Sequence, residues 1–429
     1  MPETKDTEGR QDTERQPKTP KFTATQDPHA SRTISLRRHL SKLALLAAIA
    51  TPIAITAGCD KTEKSDTANS EKTSSTSGKP SISEAEKIAQ LNKTAKNLLE
   101  ENKVSDFNKL RENNPQWTPD LHLANLTGKF LNKVNLKGAN LAGINLENSV
   151  SSEADFSNTN LTGAKLKGSN FRETNLKNTN LENADLTGAN LGKTNLTKAN
   201  LRATKLAGAD LMNANLTGAN LECTEAPNAT FEYAKLDNTK FANANLHNAD
   251  FGRATLKKAI FTEAILTGAI LRNADLENAD FTKANLRNSN FFEAILVKAI
   301  FDSADLTSAD LSKANLRNAD LKNAILVNAE LVFAELGKAD FTGANLTHAD
   351  LSSSTLADTN LRGTKLNNAT FDSAKLIQTI FCGADLTDAK FSYATIVGSD
   401  FRGTSNIQTA KFTLLIEDSV NEWPENFNK

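Results

Sequence analysis

The sequence predicts an all-β solenoid, a four-sided β-helix of about 14 coils that begins with a short α-helical N-terminal cap. An apolar residue returns at every fifth position from Leu121 to Phe401, at 57 positions of which only Ser151 and Ala226 are not Leu, Phe or Ile. A small residue, usually Ala, Ser or Thr, stands two positions before nearly all of them. Phenylalanine is confined, with one exception, to alternate pentads.

Two polar stretches precede the solenoid. Residues 1–35 are rich in Lys, Glu, Thr, Gln and Pro and have almost no bulky apolar side chains. Such a composition cannot bury enough surface to offset the entropy of ordering, so we expect a disordered N-terminal extension. Residues 60–80 are rich in Ser, Thr, Lys and Glu. We interpret them as a polar tether that would reach roughly 25 Å as a flexible coil.

Residues 36–59 read as a signal or membrane segment. A basic stretch precedes an apolar run from Leu43 to Gly58, and Cys59 follows it. The run is shorter than the roughly 20 residues that span a bilayer, so the h-region of an export signal fits better. The small residues before Cys59 resemble the lipobox of bacterial lipoproteins. This resemblance implies lipid attachment at Cys59 and a membrane-anchored, extracytoplasmic protein on the periplasmic side; the alternatives are a single-pass membrane protein and a cytoplasmic one.

Residues 81–120 have helical spacing and are expected to form the N-terminal cap. Apolar residues recur at intervals of three and four between 82 and 110, which predicts one or two amphipathic helices. Ser81 or Ser83 can cap the first turn, with Glu84 or Glu86 three residues on. Pro115 ends the helical segment.

The five-residue period from 121 to 405 excludes both ordinary elements. On an α-helix five residues advance about 500°, so successive apolar side chains would wind around every face. On a straight strand alternate ones would point to opposite sides. The chain must therefore turn a corner within each pentad, and it directs one large and one small side chain inward. Because only 38% of the residues are hydrophobic and 6% aromatic, a narrow core is expected.

The phases of phenylalanine give the number of sides. Fourteen pentads have phenylalanine at the central apolar position. All of them except Phe156 fall into two sets, which lie ten residues apart within a 20-residue period. Confinement to alternate pentads indicates opposite walls of a tube, and four sides are the simplest solution. The two sets are Phe241, Phe261, Phe281, Phe301, Phe341, Phe381 and Phe401, and Phe171, Phe231, Phe251, Phe291, Phe371 and Phe391.

The pentads also resemble a known family. The run Ala184-Asp185-Leu186-Thr187-Gly188 is similar to the motif of the pentapeptide-repeat family, which is a small residue, Asp or Asn, Leu or Phe, and two variable polar positions. The resemblance covers about 281 of 429 residues. It implies a right-handed quadrilateral β-helix. It also implies one possible activity, since some members bind type II topoisomerases by imitating B-form DNA.

The sequence also predicts a cover for the C-terminal end of the solenoid and a ladder of amide hydrogen bonds along one wall. Residues 406–429, with Phe412, Leu414 and Trp423, are expected to form a C-terminal cap or tail over the last coil. Asn precedes the central Leu repeatedly on one wall, and amides stacked from coil to coil can hydrogen-bond to one another. These residues are Asn140, Asn160, Asn180, Asn200 and Asn220.

The sequence offers no candidate chemistry. We expect no catalytic residue, no metal site and no cofactor, because the five histidines are scattered and no nucleophile, metal-ligand or phosphate-loop motif is present. His247 and His348 are interpreted as solvated wall residues. Cys223 and Cys382 lie eight coils apart on one wall, roughly 38 Å, which is too far for a disulfide. The replacement of a core Leu by Ala226 predicts a tolerated defect, or a bulge.

A protein partner is the interaction that the sequence favours. Outward apolar residues concentrate between 260 and 333, most densely along one edge of the rod, and exposed apolar patches can mark association surfaces. The partner is unknown, and a homodimer is an alternative. The possible interaction surface consists of Ile270, Phe292, Ile295, Val297, Val332 and Phe333.

Charge separates the two functions considered. The first is a non-catalytic, membrane-anchored rod acting as a structural or protein-interaction scaffold. The second is a cytoplasmic, DNA-imitating binder of a type II topoisomerase. Beyond residue 120 the chain has 31 basic and 34 acidic side chains. This balance disfavours DNA imitation, which needs an acidic rod, and it also predicts no nucleic-acid partner.

Overall fold

The computed structural model describes residues 83–418, 420–425 and 427, and they form a helical cap followed by a four-sided β-helix. Each pentad places one residue in a parallel bridge with the residue 20 positions later. Bridges such as Asp120 to Asn140 and Asn125 to Asn145 continue in this register as far as Asp385 to Ser405. The predicted coil of 20 residues, with one pentad on each of four walls, is confirmed.

Each pentad has the same backbone pattern, which we describe relative to its inward central residue. At Leu126, the central N–H donates to Asn145 O of the next coil at 2.7 Å, and the N–H of Gly128 donates to Glu147 O at 2.8 Å. The N–H of Asn145 returns to Ala124 O at 2.9 Å. Coils are therefore joined by three backbone hydrogen bonds per wall, which satisfy most of the main chain without long strands.

The walls are named A, B, C and D, and their first central residues are Leu121, Leu126, Leu131 and Leu136. The residue before the central one is called the acceptor residue, and the residue two after it is called the corner residue. Central residues and the small residues two positions before them are buried throughout the solenoid. This confirms the predicted core of one large and one small side chain per pentad.

Phenylalanine rings fill the core from walls A and C. On wall A, Phe241 and Phe261 stack with centroids 4.9 Å apart, and Phe261 and Phe281 with centroids 4.8 Å apart. Across the core, Phe241 meets Phe251 of wall C edge-on at 5.8 Å and 86°. The two phenylalanine phases therefore belong to walls whose rings meet across the core, and the stacked rings measure the rise per coil directly.

Buried hydroxyls in the core bond to backbone carbonyls. Thr159 Oγ1 donates to Phe156 O of the preceding pentad at 2.7 Å, whereas Thr179 Oγ1 donates to the same carbonyl from the next coil at 2.8 Å. Threonine therefore replaces alanine at the small position without leaving an unpaired hydroxyl. Ser149 and Ser151 are exceptions, since their buried Oγ atoms have no hydrogen-bond partner within the described residues.

Two helices cover the first coil. Helix α1 spans Glu84–Glu100 and helix α2 spans Val104–Asn113. Ser83 and Glu86 form a complete capping box at the start of α1, as the sequence predicted. Leu99 and Phe107 are fully buried and join the helices to the solenoid core.

Asparagine side chains satisfy the open backbone edge beneath these helices. Asn92 Oδ1 accepts from the N–H of Asp120 at 3.1 Å, and Asn108 Oδ1 accepts from the N–H of Asn135 at 2.9 Å. Asn102 Oδ1 accepts from the N–H of Phe130 at 2.8 Å. Acceptor-residue N–H groups on walls A, D and C thus find partners at the end of the solenoid, where no preceding coil exists.

The solenoid gains short strands near its C-terminal end. Strands β1 (Lys375–Ile377), β2 (Thr395–Val397) and β3 (Ile416–Glu417) pair in parallel in that order, and a 3₁₀ turn spans Ile407–Thr409. Beyond residue 405 the pairing continues with extra residues, since Lys390 bridges Lys411 and Asp400 bridges Glu422.

The C-terminal segment also extends both aromatic columns. Phe412 stacks on Phe391 with centroids 4.7 Å apart, and Trp423 stacks on Phe401 with centroids 4.6 Å apart. Phe412 and Trp423 therefore lie over the last regular coil and close its core, whereas Leu414, also expected in this cover, is 70% exposed.

Candidate functional site

The walls meet at corners whose backbone is left-handed. Almost every corner residue of the solenoid has positive φ, for example Gly128 at 67°, Asn158 at 58° and Lys258 at 57°. The turn closes when the residue after the corner donates to the central carbonyl, as Lys129 N does to Leu126 O at 3.2 Å. Gly and Asn recur at these positions because they tolerate this conformation best. The sequence predicted a corner in each pentad but did not indicate which residue forms it.

Asp and Asn recur at the acceptor position because their side-chain oxygen accepts a hydrogen bond from the residue two positions later. Asn125 Oδ1 accepts from the N–H of Thr127 at 3.2 Å and from its hydroxyl at 2.6 Å. Asp340 Oδ1 likewise accepts from the N–H of Thr342 at 3.0 Å. This local bond orders the chain just before its corner. The sequence signal for this hydrogen bond was the recurrence of Asp or Asn with Thr two positions later.

The amide ladder predicted on wall A is present from Asn140 to Asn200, whereas Asn220 Oδ1 accepts from the N–H of Glu222 at 3.0 Å. Asn160 Nδ2 donates to Asn140 Oδ1 at 3.2 Å, and Asn200 Nδ2 donates to Asn180 Oδ1 at 3.0 Å. Asn180 Nδ2 instead donates to Thr162 Oγ1 at 3.0 Å, so the ladder continues through a neighbouring hydroxyl. These contacts join successive coils and explain the asparagines of this wall without a ligand.

The apolar residues predicted as an interaction surface lie on walls C and D, at the corner between them. Phe333 is 59% exposed, Ile295 43% and Ile270 37%, whereas Phe292, Val297 and Val332 are partly buried. One coil carrying Ser312 and Lys313 separates the Phe292 level from the Phe333 level. The surface, hereafter the C/D apolar edge, therefore consists of two apolar patches with a polar coil between them.

Isoleucine at an acceptor position removes a bond that the fold otherwise makes. Asn290 Oδ1 accepts from the N–H of Phe292 at 2.9 Å. Ile270 and Ile295 occupy equivalent positions and have no side-chain acceptor to offer to Arg272 and Val297. Here an exposed apolar side chain replaces a group that stabilises the corner.

A small polar network borders the C/D apolar edge. Lys313 Nζ lies 4.9 Å from the ring centroid of Phe292 and 3.2 Å from Glu293 Oε1, while Asn273 Nδ2 donates to Glu293 Oε2 at 3.0 Å. The hydrogen bonds from Asn273 and Lys313 lower the pKa of Glu293. The network holds Lys313 against one face of Phe292 and leaves Phe333, one coil on, uncovered by it.

The described residues contain no group of His, Cys, Asp and Glu placed to hold a metal ion. His122 Nδ1 contacts Asp120 Oδ1 at 2.8 Å at the rod's beginning, and His247 and His348 lie on the outer surface. The Cys382 thiol is free and donates to Asp400 Oδ2 at 3.0 Å, so it does not pair with Cys223. These contacts form no constellation of nucleophile, base and oxyanion donors.

Ala226 is accommodated without a bulge. It is fully buried, and its N–H donates to Asn245 O at 2.8 Å in the ordinary pattern. The neighbouring bridges from Lys205 to Glu225 and from Glu225 to Asn245 keep the 20-residue register. The bulge, which was the alternative interpretation, is therefore absent, and the replacement is a tolerated change of side-chain volume.

The predicted lipid-attachment residue Cys59, the apolar run and the tether lie outside the described residues. Within the described part, neither helix has the length and apolar character needed to cross a bilayer.

Comparison with known proteins gives a family match over most of the solenoid. The family model described as pentapeptide repeats matches successive, partly overlapping segments that together cover residues 120–150, 154–192, 194–332 and 334–403. No curated relative matches the chain.

Several solved structures are similar to parts of the chain. HetL, a pentapeptide repeat protein involved in heterocyst differentiation regulation from the cyanobacterium Nostoc sp. strain PCC 7120, is 30% identical; the match covers 48% of this chain and 88% of HetL, with a TM-score of 0.34. A trypsin-treated QnrB1, a plasmid-mediated fluoroquinolone resistance protein, is 19% identical over 50% of this chain and 89% of its own, with a TM-score of 0.25. A pentapeptide repeat protein of the Arabidopsis thaliana thylakoid lumen is 28% identical over 28% of this chain and 66% of its own, with a TM-score of 0.10. At these TM-scores no function is carried over.

Proposed function

Because this chain belongs to the pentapeptide-repeat family, whose fold is a right-handed quadrilateral β-helix, we propose that it acts as a non-catalytic scaffold that binds another protein along its side. About 14 coils stacked at strand spacing would give a rod roughly 68 Å long. Its buried core and its hydrogen-bonded backbone serve the fold, so the variable outer side chains are left to carry recognition.

The observation that carries this proposal is the C/D apolar edge. Phe333, Ile295 and Ile270 expose apolar surface between the two ends of the rod, so this surface does not pack against either cap. Two of them also displace the Asx acceptor that stabilises most corners. Surface of this kind costs local stability and is buried when a partner's apolar side chains dock against it.

Site-specific crosslinking tests the edge in cells of the source organism. A photoreactive phenylalanine analogue at Phe333 should give one discrete adduct with another protein. The matched control is the same analogue at Asn288, which is also an exposed corner residue with positive φ but lies on wall B. Adducts of equal yield from both positions, or none from Phe333, would refute the edge as a binding surface.

We also propose that the rod is held at a membrane on its extracytoplasmic, periplasmic side through a lipid on Cys59. The support is the sequence of residues 36–59 and the polar tether after it. Labelled palmitate should enter the wild-type protein and not Cys59→Ala, and mass spectrometry of the mature N-terminus should show a lipidated cysteine. An unmodified N-terminus in the cytosolic fraction would refute the anchor and leave the C/D apolar edge untouched.

Binding to a type II topoisomerase remains the alternative, in a cytoplasmic protein. The near balance of basic and acidic side chains beyond residue 120 disfavours it, because a DNA imitator presents phosphate-like negative charge along its length. A supercoiling assay with gyrase and an excess of the purified chain distinguishes the two. We expect no inhibition, and inhibition at stoichiometric concentration would favour the topoisomerase.

A further inference from the structure

The corner that follows wall D carries an alternation of asparagine and lysine over six consecutive coils. All six corner residues have φ between 57° and 60°. The three lysines are exposed and point outward along one line of the rod. We name this line the D-corner column; it consists of Asn238, Lys258, Asn278, Lys298, Asn318 and Lys338.

The corner that follows wall C shows how this fold neutralises a lysine at the same kind of position. There Lys133 lies 3.5 Å from Glu153, Lys193 lies 3.3 Å from Glu173, and Lys313 lies 3.2 Å from Glu293. Each pair joins corner residues of adjacent coils. In the D-corner column asparagine occupies both adjacent coils at Lys258 and Lys298, whereas Lys338 has Asn318 on one side and Asp358 on the other. No carboxylate of the described residues lies within 4.0 Å of any of the three lysine ammonium groups. These charges are left for a partner.

Lysine is also a costly choice at a corner. A left-handed conformation costs a residue with an ordinary side chain roughly 1–2 kcal/mol, and Gly and Asn avoid much of that cost. Asn278 and Asn318, which alternate with the lysines, show that Asn is accepted in this column. An unpaired lysine therefore adds strain without a contact inside the molecule.

Wall D as a whole is the basic side of the rod. The outward positions of its pentads hold ten basic side chains and six carboxylates. The nearly neutral total charge conceals this asymmetry, because walls A and C carry the opposing excess. The basic residues are Lys137, Lys177, Lys198, Lys235, Lys257, Lys258, Lys298, Arg317, Lys338 and Lys375, and the acidic residues are Asp155, Asp237, Asp275, Glu277, Glu335 and Asp358.

The spacing of the lysines selects the kind of anion. Rings on wall A in the same coils are 4.9 Å (Phe241 to Phe261), 4.8 Å (Phe261 to Phe281) and 5.0 Å (Phe281 to Phe301) apart. Lysines two coils apart are therefore about 10 Å apart along the rod. Nucleic acids place a phosphate about every 3.4 Å along each strand, and single strands also need aromatic stacking platforms, which the D-corner column lacks.

We propose that the D-corner column binds an extended acidic polysaccharide that lies parallel to the rod, with about one sugar ring per coil and one carboxylate on every second ring. The lysines would contact the carboxylates by charge-assisted hydrogen bonds, and the intervening asparagine amides would bond to ring hydroxyls. The column follows a different corner from the C/D apolar edge and adjoins it only where Val297 precedes Lys298. The inference does not depend on the protein partner or on the membrane anchor.

The test uses hyaluronate, which has a carboxylate on alternate rings, and the full-length chain in mild detergent. Isothermal titration should show binding to hyaluronate and at least tenfold weaker binding to its methyl ester. Combined substitution Lys258→Asn, Lys298→Asn and Lys338→Asn should weaken hyaluronate binding at least tenfold. The fold should persist, because asparagine already occupies the intervening coils, and circular dichroism and the unfolding temperature check this.

The control variant combines Lys133→Asn, Lys193→Asn and Lys313→Asn, which removes the same charge from corner residues with the same backbone. It should bind hyaluronate within about twofold of wild type. The proposal is overturned if both triple variants lose affinity equally, if hyaluronate does not bind, if its methyl ester binds as well, or if duplex DNA competes for the same lysines.

Discussion

The ring of Phe156 meets the ring of Phe171 edge-on, with centroids 5.4 Å apart and planes at 75°. Phe171 belongs to wall C, one of the two walls that share the phenylalanines, whereas Phe156 is the one central phenylalanine of wall D. In the same coil as Phe156, wall C has Ser151 in place of a large apolar residue, and that serine is fully buried. We infer that the ring of Phe156 fills volume that Ser151 leaves.

This relationship predicts strong coupling between the two positions. Phe156→Leu should destabilise by about 1–3 kcal/mol through lost volume, and Ser151→Leu by about 1–3 kcal/mol through overpacking against Phe156. The double variant restores the common pattern and should be at least about 1 kcal/mol more stable than the sum of the two effects predicts. Thermal unfolding of the four proteins measures the coupling, and additive effects would show that Phe156 does not compensate for Ser151.

The stability of the first coil should depend on the asparagines of the cap. Asn108→Ala removes the acceptor of Asn135 N–H and the donor to Lys133 O, and it should cost about 1–3 kcal/mol because partly buried backbone groups lose their partners. Hydrogen exchange should quicken at the Asn135 amide. Lys109→Ala on the exposed side of the same helix is the control and should cost less than about 0.5 kcal/mol. Equal losses of unfolding free energy in the two variants would mean that the effect comes from helix propensity and not from the hydrogen bonds to the backbone of the first coil.

Much of this fold could be predicted because a single spacing decides it. The five-residue return of the central residues requires a corner in each pentad, and the phases of Phe241 and Phe251 indicate opposite walls, for which four sides are the simplest solution. The serine and glutamate of the α1 capping box were also recognisable, since their separation of three residues is a local rule. These features depend on neighbours in the sequence or on one fixed period.

The outer surface was harder to predict because it depends both on the position within the five-residue pentad and on the alignment of pentads 20 residues apart. Both polar positions after a central residue look equivalent, and only the coordinates show that the second, as at Gly128, is left-handed. The role of Asn125 as an acceptor for Thr127 needed the same geometry. The D-corner column becomes visible only when corner residues 20 positions apart are aligned, and the total charge gives no sign of it.

The left-handed backbone at the corners predicts that the cost of a substitution there comes from the positive φ and not from contacts of the new side chain. A Cβ added at Gly188 would meet no heavy atom within 4 Å, yet Gly188 has φ of 65°. Gly188→Asn should therefore be nearly neutral, whereas Gly188→Val should cost about 1–2 kcal/mol because a β-branched residue resists this region. Urea denaturation compares the two variants. If both are equally stable, steric conformation does not explain the recurrence of Gly and Asn at the corners.

The stacked aromatic column on wall A predicts a graded response to truncation. Phe281 stacks on Phe261 and Phe301 and meets Phe291 edge-on at 5.8 Å. Phe281→Leu should cost about 1–2 kcal/mol, and Phe281→Ala about 3–5 kcal/mol, because the alanine leaves a cavity that rigid coils cannot close. The unfolding temperature should fall in that order. Tyr393→Ala removes an exposed ring of the solenoid's outer surface and should change it little.

Asp385 links stability to acid pH near the C-terminal end. Burial would raise the pKa of this carboxyl, but hydrogen bonds from Asn406, Thr387 and Asn367 outweigh it and lower the pKa to about 2. Asn406 Nδ2 and Thr387 Oγ1 donate to Oδ1 at 2.9 and 2.7 Å, and Asn367 Nδ2 donates to Oδ2 at 2.8 Å. These contacts tie the last regular coils to the segment that closes the rod, and they favour the charged carboxylate.

A lowered pKa in the folded state contributes stability above the unfolded value, which is near 3.9, and that contribution is lost as pH falls through about 2. The unfolding temperature of the wild type should therefore decline between pH 4 and 2 more steeply than that of Asp385→Asn, which cannot titrate there. Equal slopes in wild type and Asp385→Asn would show that the folded protein does not favour the charged form of Asp385.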